Sequence, residues 1–431
     1  MKNWRRPWKL LIVTAFAALT AFAETSAIPI SGPALPGLEP VDATMTSLMA
    51  KYATPGAQLA VTYRGRLVLA HGYGLADRAT GATVQADSRF RIASLSKLIT
   101  AAAILTLIEQ GKLTLDAKAF ALLPHLRPGP GATTDPRLAD ITVRHLLQHS
   151  GGWDRGVSGD PMFKPLEIAE ATKTAAPADA HAVIQHMLGQ ALDFNPGSKS
   201  VYSNFGYNVL GRIIEAVSGR SYGDFVQENL LGPAGVTGFA LGRSLAEDRA
   251  AGEVAYFSPP NARPVPSVFP IGNKSVLPPY GGFHLEAMDA HGAWITTATD
   301  YVRLLAALDG SRSPALLTGA SLELLTARPA PPVSVATETY YGLGIQVRPV
   351  NGATGSGANW WHSGSLPGTA TYMVRLARGW SWAAFFNSRP SELRPMQAEL
   401  DRRLNATLVA LTAPATGDLF APTRTATSNQ P

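Results

Sequence analysis

The stretch Phe90-Arg91-Ile92-Ala93-Ser94-Leu95-Ser96-Lys97-Leu98-Ile99-Thr100-Ala101-Ala102-Ala103-Ile104-Leu105 runs from a short strand into a segment that is apolar nearly all round. A helix from about residue 94 to 110, stopped by Gly111, follows from this pattern, and such a helix must be buried on every side. Lys97 breaks the apolar run in the first turn, where the positive end of the helix dipole disfavours a cation. Dipole and desolvation both push its amine toward the neutral form. Ser94 precedes it by three residues, on the same helical face. At a helix start its N–H is free to bind an oxyanion. A serine hydroxyl beside a neutral amine is what nucleophilic catalysis by serine requires. The ordinary reading is an N-capping Ser94 with a solvated Lys97, since Ser-x-x-Lys arises by chance about once in a chain of this length.

On either side of that helix the pattern is strand-rich. Residues 58–63 and 66–70 flank Arg64-Gly65 as a hairpin, and 89–92 is a short strand. Strands return at 337–347, 360–362, 370–377 and 381–387, before a final helix at 391–411. Between them, helical segments at 143–148, 180–188, 207–217 and 299–308 alternate with long Pro/Gly loops, and a further helix is expected at 43–51. Strands at both ends and helices between them imply an α/β sheet domain holding a large helical insertion. The expected division is a linker at 24–41 and a domain at 42–411. Its sheet part covers about 42–112 and 330–411, its helical part about 113–329. The small, polar tail at 412–431 is expected to be disordered.

Composition narrows the function classes. The chain has 431 residues, 46% apolar and 16% charged, which excludes a disordered protein. It has no cysteine, which excludes disulfides, thiolate catalysis and Cys-ligated zinc. The net charge of +6 owes four residues to the N-terminus, where Lys2, Arg5, Arg6 and Lys9 flank an apolar run to Ala23. Ending in Ala21-Phe22-Ala23, residues 1–23 have the three parts of a secretory signal, and the run is too short for a membrane-spanning helix. Without them 33 Lys and Arg face 31 Asp and Glu, so no basic footprint for nucleic acid remains. With no lipid-anchor cysteine either, the expectation is a soluble protein, exported to the periplasm or medium.

Two more segments carry possible chemistry. Tyr202-Ser203-Asn204 follows the Pro196-Gly197 turn and precedes a helix near Phe205. Ser and Asn there commonly cap the helix; the functional reading has Tyr202 relaying a proton and Asn204 holding a substrate carbonyl. Trp361-His362-Ser363-Gly364-Ser365 lies in a strand whose glycine suits close approach of another backbone or a ligand. Ser365 there offers an N–H as a second oxyanion donor. His145 and His149 have a zinc-compatible spacing, but His-Leu-Leu-Gln-His lacks the Glu of the metalloprotease motif and favours a packing or helix-end role. No Gly-x-Ser-x-Gly nucleophile elbow occurs.

In this order, Ser94-Leu95-Ser96-Lys97, Tyr202-Ser203-Asn204 and His362-Ser363-Gly364 resemble the three motifs of the serine β-lactamase and penicillin-recognising family. The Tyr-x-Asn form is similar to the class C β-lactamase, D,D-peptidase and esterase branch. Residues 90–94, 141–152 and 291–297 also look like this branch, and the resemblance covers roughly 40–410. It implies a β-lactamase-like fold, an antiparallel sheet flanked by helices plus an all-helical domain, with the active site between them. It further implies a hydrolase that attacks a small-molecule or peptide amide, ester or lactam through Ser94. Lys97 and Tyr202 would share proton transfer, the N–H groups of Ser94 and Ser365 would hold the oxyanion, and Asn204, His362, Ser363 and Gly364 would contact substrate. No metal or organic cofactor is implied. One departure is His362, where most β-lactamases have lysine. A largely neutral imidazole attracts a β-lactam carboxylate less, so a short neutral ester is expected to be the better substrate. The non-enzymatic alternative is a penicillin-binding-like sensor or scaffold. The Ala21-Phe22-Ala23 site predicts that N-terminal sequencing of exported protein finds Glu24 first; an intact Met1 would reject the signal.

Overall fold

The computed structural model describes residues 27–129, 131–259, 261–272, 274–334, 338–411 and 417–420. The expected signal at 1–23 and most of the tail lie outside the described residues. A nine-stranded antiparallel sheet forms the centre, in the order Ile30–Ser31, Arg66–Asp77, Gly56–Tyr63, Trp380–Phe386, Thr369–Arg375, Asn359–Leu366, Gln346–Arg348 and Tyr340–Tyr341, with Ala82–Thr83 paired to Arg66–Asp77. The N-terminal hairpin joins the C-terminal strands through Leu59 opposite Ala384 and Val61 opposite Trp382. Side chains alternate between the two faces of a strand. Leu59, Val61, Trp382 and Ala384 accordingly enter the core beneath helices Glu39–Lys51 and Leu393–Ala410, while Ala60, Ala383 and Phe385 enter the core on the opposite face.

That second face differs from the expectation. Helix Ala298–Leu308, assigned to the helical part by its position in the sequence, packs on strands Gly56–Tyr63 and Trp380–Phe386. Tyr301 meets Phe385 edge-on at 5.9 Å, and the Gln58 side chain accepts from the Ala298 N–H at 2.5 Å. The sheet part therefore regains the chain near residue 294 rather than 330. The region between is also not all helical. Trp294–Thr296 pairs with Phe90–Arg91 and with Ala240–Leu241 in a second, three-stranded sheet, and Val265–Pro266 pairs with Ser275–Val276. Strands of two or three residues leave too little alternation to be seen in a sequence.

The helix following Glu39 begins four residues before the expected start, inside the presumed linker, because Pro40 is well tolerated in a first turn and Glu39 and Asp42 complement the dipole there. In the tail, 417–420 is packed rather than disordered. Asp418 accepts from the Leu67 N–H and the Arg312 guanidinium, and the buried Phe420 ring lies between Arg303 and Arg312 at 4.5 and 4.6 Å.

The turn that carries Ser94 is held against strand Asn359–Leu366. Ala93–Leu95 forms a 3-10 turn and the α-helix proper is Ser96–Glu109, two residues later than expected. Ala93 enters the turn at φ 49°, a region costly for a residue with a Cβ. The turn is fixed from below by Thr369, whose hydroxyl donates to the Arg91 carbonyl at 3.0 Å, and by Thr371, whose hydroxyl donates to the Ile92 carbonyl at 2.9 Å. Thr371 lies opposite Gly364. A Cβ on Gly364 would overlap the Thr371 hydroxyl and the Ile92 carbonyl oxygen. Gly364→Ala is therefore expected to lower unfolding free energy by about 1–3 kcal/mol, the usual cost of overpacking, and to disturb the turn at Ser94. Denaturant unfolding of wild type and variant measures this.

Candidate active site

Lys97 is fully buried. Its Nζ lies 2.8 Å from Asn204 Oδ1, 3.0 Å from the His291 carbonyl and 3.1 Å from Ser94 Oγ. It also sits over the rings of Tyr202 and Tyr207, at 4.8 and 5.6 Å. Burial pushes the amine well below the usual lysine range, with the Arg155 charge adding to the shift and the Asp160 carboxylate opposing it. A neutral amine has two N–H donors and one lone pair. Asn204 Oδ1 and the His291 carbonyl can only accept, so they take the two N–H groups and the lone pair is left to the Ser94 O–H. This donor count allows Ser94 to lose its proton directly to Lys97.

The second motif divides its work between neighbours. Ser203 is the cap of helix Asn204–Ser218, its hydroxyl accepting from the Gly206 N–H at 3.2 Å. Asn204 is thereby released to face Lys97. Its Nδ2 donates to Asp160 Oδ2 at 2.7 Å, so both ends of the amide are occupied by protein groups. Tyr202 is held between Arg155, 5.1 Å over its ring, and the His149 ring, 4.4 Å away. Burial raises the Tyr202 phenol above its ordinary range, while a hydrogen bond with Ser94 and the Arg155 charge pull it down. His149 accepts from the Ser203 N–H through Nδ1 at 3.1 Å and is kept neutral by burial. His145 instead closes a capping box with Thr142. The two histidines thus have the packing and helix-end roles that the missing Glu favoured, and no metal-binding cluster occurs among the described residues.

In the third motif, His362 is buried. Its Nδ1 lies 2.7 Å from the Ser363 carbonyl, which only accepts, so Nδ1 carries the proton and Nε2 receives the Tyr341 O–H at 3.1 Å. Burial lowers the imidazole pKa to about 3. A neutral side chain was expected here; its burial was not.

Ser94, Tyr202, Asn204, His362, Ser363, Gly364 and Ser365 all line one open cavity of about 930 Å³, with Lys97 behind Ser94. The same cavity receives His291, from the segment 291–297, and Arg155, Asp160, Arg389 and Arg394, which no motif announced. Asp160 stands between Gly159 and Pro161 and has only the look of a turn residue. The two later arginines reach the site because strand Trp380–Phe386 and helix Leu393–Ala410 bring them back to it.

The family model described as Beta-lactamase matches residues 41–406. Esterase EstB of Burkholderia gladioli is 30% identical over 199 residues, 46% of this chain and 49% of EstB. The stretches matched to such curated relatives span about a third to a half of their length. Among solved structures, a class C β-lactamase superposes with TM-score 0.66 at 18% identity, over 87% of this chain and 96% of its own. The D-amino acid amidase of Ochrobactrum anthropi gives 0.65 at 21%, over 86% and 98%. Identities at this level speak for the fold alone, and the fold, the three motifs gathered around one cavity and the match across most of the chain agree: this protein belongs to the β-lactamase family.

Proposed function

We propose that the chain is an exported serine hydrolase that cleaves an ester, amide or lactam through an acyl-enzyme on Ser94. The observation that carries this reading is the buried Lys97 amine, held by two groups that only accept, so that in its neutral form the lone pair faces the Ser94 hydroxyl. As Ser94 Oγ bonds to the substrate carbonyl carbon, its proton passes to Lys97, and the oxyanion is received by the N–H groups of Ser94 and Ser365. Collapse breaks the bond to the leaving group, which takes a proton through Tyr202. Water then gives a proton to the Tyr202–Lys97 pair as its oxygen bonds to the acyl carbon; the acyl–Oγ bond breaks, the pair passes that proton to Ser94 Oγ, and the acid product leaves. Export rests on the signal-like residues 1–23.

A short neutral ester is the favoured substrate, because His362 carries no charge with which to hold a carboxylate. The esterase name of EstB is consistent with that choice. A second reading, a carboxylate-bearing D,D-peptide or β-lactam, draws on Arg155, Arg389 and Arg394 in the cavity wall.

A fluorophosphonate is expected to add mass to the peptide containing Ser94, and Ser94→Ala to lose both label and turnover; labelling that survives rejects the assignment. Across an ester, a β-lactam, a D,D-peptide and a D-amino acid amide, kcat/KM should be highest for the ester. A higher value for the carboxylate-bearing pair selects the second reading, and an acylation burst without turnover on all four selects a sensor.

Lys97→Ala is expected to slow acylation by about 10²–10⁴-fold, the usual contribution of general-base assistance. Tyr202→Phe should cost a comparable factor in acylation or deacylation with little change in thermal stability. Near-normal turnover in either variant removes that residue as a proton carrier.

A further inference from the structure

Asn204 decides which way the Lys97 lone pair points, so whatever orients the Asn204 amide controls the site. A primary amide has an acceptor end and a donor end of nearly the same shape. With Oδ1 toward Lys97, both amine N–H groups are consumed by Asn204 and the His291 carbonyl, and the lone pair faces Ser94. Were the amide reversed, its N–H₂ would meet Lys97 as a donor and claim that lone pair, and Ser94 would lose its base. Among the described residues, the far end of the amide meets the Asp160 carboxylate, donating to it at 2.7 Å. An ionised carboxylate accepts and cannot donate, so it tolerates one orientation alone.

We infer that Asp160 is a positioning residue for the Ser94–Lys97 pair, its carboxylate fixing the Asn204 amide and supplying the acidic counter-charge of the cavity. This rests on the reading of Lys97 as the base for Ser94. The carboxylate is itself anchored, because Oδ1 accepts from the Met162 N–H at 3.1 Å where Asp160 caps the turn Pro161–Phe163. Asp160 is the acidic residue of a cavity wall that otherwise carries Arg155, Arg389 and Arg394. The groups around Lys97 are Asp160 and Arg155 from the 153–163 segment, Tyr202 and Tyr207 from the second motif and its helix, and His149, His291 and His362. Burial holds all three histidines neutral, so the charges acting on the amine are those of Asp160 and Arg155.

Those two charges give the test opposite signs. Catalysis needs neutral Lys97, so kcat/KM falls as pH drops through the Lys97 pKa. The Asp160 charge favours protonated Lys97; removing it moves the acid limb to lower pH. Arg155 disfavours it; removing that charge moves the limb to higher pH. The experiment is a pH profile on a short neutral ester for wild type, Asp160→Asn, Asp160→Ser and Arg155→Gln. Asn and Ser both keep an acceptor for the Met162 N–H, and thermal denaturation confirms folding. For both Asp160 variants we expect kcat to drop about 10–100-fold, the scale of a small misplacement in a reacting pair, with KM nearly unchanged. The limb should move down by about 1 pH unit, within the range of one nearby charge, and Arg155→Gln should move it up. Wild-type kcat and an unmoved limb in the Asp160 variants would overturn the inference. So would a loss confined to KM and to substrates bearing a free ammonium, which would make Asp160 a direct substrate contact. Fluorophosphonate labelling of wild type separates the two levels. An unlabelled Ser94 defeats the reading of the site itself, whereas a labelled Ser94 with an indifferent Asp160 defeats only the role given to Asp160.

Discussion

Burial of one amine organises this molecule. A lysine with no exposed surface is costly to charge, and the fold surrounds Lys97 with groups that suit its neutral form. Gly344, at φ 78°, brings its backbone against the Lys97 carbonyl and Ala101, where any side chain would collide. Thr100 donates to the Ala290 carbonyl at 2.6 Å, next to the His291 carbonyl that takes one Lys97 N–H. The same turn is tied from outside by Arg212, a buried guanidinium paired with Asp289 at 2.5 Å and with Glu215. Each contact stiffens one wall of the amine's enclosure.

The seam between sheet part and helical part is where these walls meet, and it is polar in a controlled way. Arg91, fully buried, donates to the carbonyls of Pro279 and Arg243 at 2.7 Å and lies 4.4 Å over the Tyr256 ring. It fastens the loops of residues 240–280 to the strand that leads into Ser94. A guanidinium suits this task because its donors fan out in one plane and its face stacks on an aromatic ring. His149, His291 and His362, by contrast, are kept uncharged by the same lack of water. The cavity therefore owes its charge to Arg155, Arg389, Arg394 and Asp160, while the buried histidines at and behind its wall are neutral.

Local chemistry carried much of this into the sequence. The apolar helix interrupted by Lys97, the Ser203 cap and the strand around Trp361 each depend on a few neighbouring residues; all three are present, the helix starting at Ser96 and the strand running from Asn359 to Leu366. Helix Ala298–Leu308 was visible as a helix, yet its layer was not, since an amphipathic face fits a sheet as well as a bundle. The packed residues 417–420 escaped for a related reason: a lone Phe and Asp in a polar tail gain order only from Arg303, Arg312 and Leu67, far away in the chain.

The sequence by itself determined the identities and order of the three motifs, the neutral tendency of Lys97 and the absence of cysteine chemistry, because periodicity, capping and ionisation are set by residue type and near neighbours. Tertiary structure alone decided that Asn204 turns its oxygen to Lys97 and its nitrogen to Asp160, that His362 is sealed beside Tyr341, and that Arg155, Arg389 and Arg394 share one cavity. Those outcomes depend on groups tens to hundreds of residues apart meeting within hydrogen-bonding or charge-interaction range, and only the folded chain brings them there.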